Sequence, residues 1–194
     1  DQISHLITNK PSGFLLSFNR KTFGEKPWES FYNFPDYGFS FHYQNNHNQE
    51  LGDLYGIFAH YNFYFFKRNL QFRVAQGIAY ATNPYHKETN FRNLAYGTQL
   101  MPSTYLSLSY NKQNIWNGLG FQTGLFFIHH SNATIKSPNT STNTLALQIG
   151  LNYSFDHTEV YRNKNAIEES FKEKLRYVFS FKTGVNESHI IGMG

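Results

Sequence analysis

Long runs in which every second side chain is apolar constrain this chain more than any other feature. Tyr37, Phe39, Phe41 and Tyr43 are separated by Gly38, Ser40 and His42. Tyr55, Ile57, Ala59, Tyr61, Phe63 and Phe65 follow the same rule, as do Leu70, Phe72, Val74, Ile78 and Tyr80. Thr104 to Tyr110, Leu145 to Phe155 and Leu175 to Phe181 repeat it. A period of two is the signature of β-strands. The spacing predicts eight of them, near 13–23, 36–46, 51–66, 69–82, 95–111, 114–132, 143–155 and 174–187. Several exceed the roughly 9–11 residues with which a tilted strand crosses a bilayer.

Composition then separates a soluble sheet from a membrane one. Charged residues make up only 15 % of the chain while aromatics reach 19 %, against about 25 % charged in ordinary soluble domains. From Asn114 to Phe155 the only charged residue is Lys136. Many residues of the face opposite the apolar one are Gly, Ser, Ala, Asn or Gln, which suits a narrow polar lumen and not a wet outer surface. A soluble lipocalin-like barrel would need charges there. The expected fold is all-β, an antiparallel transmembrane β-barrel of at least eight strands, as one domain over 1–194. No run of 18 apolar residues offers a transmembrane helix. The absence of cysteine excludes a disulfide scaffold, a thiolate metal site and a cysteine nucleophile. A net charge of +4 mildly favours anionic partners, without a basic cluster to suggest nucleic acid.

The connections carry information about orientation. Lys67-Arg68-Asn69 and Asn111-Lys112-Gln113-Asn114 read as tight turns, and 83–94, 133–142 and 156–173 as longer loops. Tight turns mark the periplasmic rim of bacterial barrels, which starts the first strand on the outer side. Either a strand is hidden at Glu29–Asn33 or the orientation is reversed. Segment 166–174 reads as a short amphipathic helical turn. Any signal peptide is expected to be gone already, and Ile191 to Gly194 reads as the start of a further strand, so the sequence is expected to be the ordered part of a longer barrel.

One constellation could do chemistry. Phe127-Ile128-His129-His130-Ser131-Asn132-Ala133 closes the sixth strand. Residues two apart on a strand share a face, about 6.6 Å apart. His129 and Ser131 therefore sit together with the apolar residues Phe121, Leu125 and Phe127, on the lipid side. A hairpin centred near residue 136 brings Asn143 beside them. A Ser–His–Asn chain of hydrogen bonds would offset the cost of polar groups facing lipid. It is also the arrangement that activates a serine for ester cleavage inside a bilayer. The alternative is that these side chains merely sit at headgroup level. His129-His130 is not a metal pair, because adjacent strand residues face opposite sides, and no metal site is expected. His42 and His60 read as lumen fillers, and Asp156-His157 as a turn.

The stretch His129-His130-Ser131-Asn132-Ala133, with Lys136-Ser137-Pro138-Asn139 and Asn143, resembles the signature of lipid A 3-O-deacylases. It is closer still to longer relatives known as acyloxyacyl hydrolases in Bacteroidetes-type bacteria, with counterparts for Gly24-Glu25-Lys26-Pro27-Trp28 and Tyr32-Asn33-Phe34-Pro35. The resemblance is specific over about 125–155 and weaker over 13–43. It implies a bacterial outer-membrane hydrolase acting on lipid A, the acylated anchor of lipopolysaccharide. It implies His129 as general base, Ser131 as nucleophile, and Asn132 with nearby backbone N–H groups as oxyanion stabilisers, without a cofactor. The family triad ends in Glu, whereas the matching residue here is Asn143. Glu88, on the 83–94 loop, is the acid that could reach the same rim; Asp156 and Glu159 lie at the other one. The rival expectation is a catalytically silent barrel, a structural subunit bound to an outer-membrane protein partner.

Overall fold

A computed structural model describes residues 3–155. Seven strands, β1 (Ser12–Arg20), β2 (Asp36–Asn45), β3 (Asp53–Phe65), β4 (Leu70–Ala81), β5 (Leu100–Trp116), β6 (Leu119–His130) and β7 (Thr142–Tyr153), form one antiparallel sheet. Their order is that of the chain. The fold is thus all-β and antiparallel, curled into a half-barrel. The segments expected at 166–174 and 174–187 lie outside the described residues, as do Asp156, His157 and Glu159.

The curl is set by side chains that meet across the lumen. Ser40 on β2 and Tyr105 on β5 share a 2.6 Å hydrogen bond. Arg73 on β4 donates to Ser17 Oγ on β1 at 2.6 Å and to Asn62 Oδ1 at 2.6 Å. Lys21 Nζ, just past β1, donates to Ser154 Oγ, just past β7, at 2.7 Å. The inner face is not wholly polar. Phe58, Ala75, Tyr105, Phe126 and Ile128 form a buried apolar layer, with Phe58 and Tyr105 in edge contact at 4.9 Å. His60 hydrogen-bonds Asn19 and Ser40. His42 lies beside Phe126, so both are fillers, as expected.

The outer face is apolar. Leu147 and Ile149 are 84 % and 88 % exposed, and Phe121, Leu125 and Phe127 face the same way. Residues opposite them on the even positions, such as Gln148 and Asn152, bond across the inner surface to Ser107 and Asn111. Gly124 faces inward, and a Cβ there would run into the Leu108 carbonyl of β5.

Two rims result. The turn rim carries the β3–β4 and β5–β6 turns and the β1–β2 strap of residues 21–35. The loop rim carries 46–52, 82–99 and 131–141, with residues 3–11. There Ile3, Leu6, Leu51, Leu54, Ala79, Ala81, Ala95, Tyr96 and Met101 form a second apolar cluster. β1 therefore starts at the loop rim.

Three expectations are corrected. Glu29–Asn33 is not a strand: Pro27–Phe31 is a short helix, α1, with Pro at its first turn. The Glu29 carboxylate holds Gly24 N–H and Glu25 N–H at 2.9 Å each, which fixes the strap. Residues 111–114 are not the β5–β6 turn. β5 continues through an irregularity between Lys112 and Trp116 and turns at Asn117-Gly118, both at positive φ (45° and 87°), as a two-residue hairpin of this type requires. Residues 95–99 precede β5, because Ala95 and Tyr96 are buried in the rim cluster instead of paired in the sheet.

Candidate active site

His129 and Asn143 are directly opposite each other on β6 and β7. The His129 Nδ1–H donates to Asn143 Oδ1 at 2.7 Å. With that nitrogen protonated, Nε2 is left as the acceptor. Both residues stand on the outward face. Behind them, inside the wall, His130 is fully buried. Its Nδ1 meets Ser103 Oγ at 2.9 Å, and Ser103 donates to the His129 carbonyl at 3.0 Å. The strand is thus pinned from the lumen side at the residue that presents the imidazole outward.

Ser131 extends the ladder by one bond, its N–H to the Pro102 carbonyl at 3.3 Å. Its hydroxyl is not bonded to His129. It is held by Asn139, whose Nδ2 donates to Ser131 Oγ at 3.0 Å and whose Oδ1 lies 3.3 Å away. The Ala133 backbone N–H also donates to Ser131 Oγ, at 3.2 Å.

Asn132 is occupied elsewhere. Its side chain is buried, donates to the Lys136 carbonyl at 2.6 Å and accepts from Thr134 N–H at 3.0 Å. Its backbone N–H donates to Asn139 Oδ1 at 3.0 Å. Asn132 shapes the loop, and the amide that reaches the serine belongs to Asn139. Glu88 is exposed at the tip of the 82–99 loop, its backbone N–H turned to His86. No hydrogen bond or ion pair joins it to His129 or Asn143 among the described residues.

The loop bearing Asn139 is braced by its neighbour. Thr140 N–H bonds the Leu94 carbonyl at 3.0 Å, and Ser141 N–H the Ala95 carbonyl at 3.3 Å. The hydroxyls of Tyr96 and Thr142 are 2.6 Å apart. Burial pushes the Tyr96 phenol above its usual range, so it stays a neutral hydrogen-bonding group. Gly97 packs so closely that a Cβ would lie 2.5 Å from the Lys136 carbonyl and 2.6 Å from that of Pro138. No cluster of three or more His, Cys, Asp or Glu able to hold a metal occurs among the described residues.

The arrangement is an outward imidazole with one nitrogen fixed and the other without a partner among the described residues, a serine two residues along the strand, and two N–H donors at the serine oxygen. No curated protein and no solved structure matches the chain. A family model described as lipid A 3-O-deacylase (PagL) matches residues 12–152, which spans all seven strands but the last residue of β7 and includes the whole constellation. Its members are outer-membrane β-barrel proteins, and this chain belongs to the lipid A 3-O-deacylase family.

Proposed function

We propose that this protein is a serine hydrolase that removes an ester-linked acyl chain from lipid A within the outer leaflet. In the first step the Ser131 hydroxyl turns from Asn139 toward His129 Nε2 and gives up its proton there. Its oxygen attacks the ester carbonyl. Asn143 keeps the imidazole in the tautomer that can accept. Asn139 Nδ2–H and Ala133 N–H, already at the serine oxygen, are placed to follow the charge onto the carbonyl oxygen. The protonated His129 then returns its proton to the departing sugar hydroxyl. A water attacks the acyl-serine by the reverse route and frees the fatty acid.

The observation that carries this reading is the 2.7 Å His129–Asn143 bond on the lipid-facing wall, beside Ser131. We keep the orientation in which short turns face the periplasm, as in outer-membrane barrels, although no strand is hidden at Glu29–Asn33; β1 then starts on the outer side, and the loop rim with the site lies at the outer leaflet, where lipid A resides. The test is mass spectrometry of lipid A from cells producing wild type or Ser131→Ala. Loss of one acyl chain with wild type and none with the variant is expected; deacylation that survives Ser131→Ala would mean another nucleophile.

A second reading, a silent barrel that serves a protein assembly, is favoured by two observations. Asn143 brings no negative charge, and the resting Ser131 is bonded to Asn139 and not to His129. In that case wild type leaves lipid A intact.

A further inference from the structure

The His129–Asn143 pair is half of a longer row. Strand register takes Asn143 to His129, His129 to Thr104, and Thr104 to Gln76. Directly opposed residues share a face, so all four point outward on four consecutive strands. The next row toward the turn rim is Val74, Leu106, Phe127 and Leu145, and the one beyond it is Phe72, Leu108, Leu125 and Leu147. On the other side stand Ile78 and Pro102. Gln76 and Thr104 are therefore polar where their neighbours along the same strands are apolar.

A polar pair on a lipid-facing wall is costly unless its hydrogen bonds are made. Thr104 Oγ1–H donates to Gln76 Oε1 at 2.5 Å, which satisfies the hydroxyl and fixes the carboxamide. The Gln76 NH2 is exposed on the outer face and bonds no described residue. Two strand spacings separate Gln76 from His129, about 10 Å. That is the breadth of a sugar unit with its substituents, so one lipid lying against the wall reaches both.

Resting on the hydrolase reading above, we infer that Gln76, oriented by Thr104, is a substrate-binding residue that sets which ester is cut. Its N–H2 donates to an acceptor oxygen on the saccharide head of the acylated glycolipid, either a phosphate oxygen or an amide carbonyl. Docking that oxygen about 10 Å from His129 leaves one ester carbonyl over Ser131 and holds the others away. Thr104 acts through Gln76 and is a positioning residue.

The experiment compares two substrates with purified protein in detergent: lipid A and a short-chain p-nitrophenyl ester, which lacks the distant acceptor. For Gln76→Leu, the ratio of kcat/KM on lipid A to that on the short ester should fall about tenfold, through KM. Thr104→Val should move the same ratio less. Equal losses on both substrates, or no change in the ratio, would overturn the inference. Lipid A stripped of phosphate identifies the acceptor. If Gln76→Leu then equals wild type, the partner is phosphate; if the gap persists, it is the amide carbonyl. A binding arm keeps the two readings separate. Lipid A retained by the Ser131→Ala protein in native mass spectrometry should weaken about tenfold when Gln76→Leu is added. Unchanged retention would refute the subsite whatever the activity. Weakened retention, with a wild type that hydrolyses neither substrate, would sink the hydrolase reading and leave the subsite standing.

Discussion

Asn143 stands where a carboxylate would both orient His129 and stabilise its charged form. An amide does only the first. Replacing Asp by Asn at the third position of a serine protease triad lowers turnover about 10⁴-fold. Asn143→Glu is therefore expected to raise ester hydrolysis at least about tenfold. The position faces lipid at the rim, where desolvation favours the neutral carboxyl, so the gain should be larger at higher pH. Ser131→Ala should abolish the gain, and a p-nitrophenyl ester assay on both variants reads the outcome. Asn139→Ala should lower kcat by about 10²-fold with little change in KM, the usual consequence of losing one oxyanion donor. The His129–Asn143 contact was legible in the sequence because strand period and hairpin register place both side chains by counting. Asn139 was legible only as part of a resembling motif. Its position depends on how an eleven-residue loop folds back, and no period encodes that. The same limit hid the occupation of Asn132, whose donors are spent on the loop itself. Gln76 did leave a trace: it is the one polar break in the outward series from Leu70 to Tyr80.

At the level of elements, alternation located all seven described strands, though both ends of β5 and the start of β6 lie five residues from the expected bounds. It failed where local chemistry overrides period. Asn117-Gly118 is a strong hairpin signal, yet the polar run at 111–114 drew the turn forward. The extra length of β5 comes from a ladder irregularity that absorbs residues without changing the pairing partner. Gly118 sits at φ 87°, so Gly118→Val should cost about 1–2 kcal/mol, read as a lower urea midpoint in lipid vesicles. The bracing of the loop that carries Asn139 makes a different prediction. Gly97→Ala places a methyl against the Lys136 and Pro138 carbonyls and shifts the segment that delivers Asn139. Activity should fall well before stability does, and kcat on the short ester compared with the unfolding midpoint separates the two effects.

The whole molecule is a wall with an apolar outer surface and a lumen filled by hydrogen bonds and a few aromatic rings. That inversion was the most legible property of the chain, because a barrel in lipid must place its charge-poor apolar residues outward at every second position. Leu147 lies mid-wall and is 84 % exposed. Leu147→Arg should cost about 2–4 kcal/mol of stability in the bilayer, whereas Gln148→Arg, on the lumen side, should be limited by space and not by lipid. Folding titrations into vesicles distinguish the two.

On the proposed hydrolase reading, the position of His129 and Asn143 on the outer wall means that substrate meets the protein sideways, by diffusion in the plane of the leaflet. Its effective concentration is then a mole fraction of the surrounding lipid and not an amount per volume. Diluting lipid A with an inert phospholipid at fixed total amount should slow hydrolysis in proportion once the site is unsaturated. Diluting the whole suspension with buffer should leave the rate per protein unchanged.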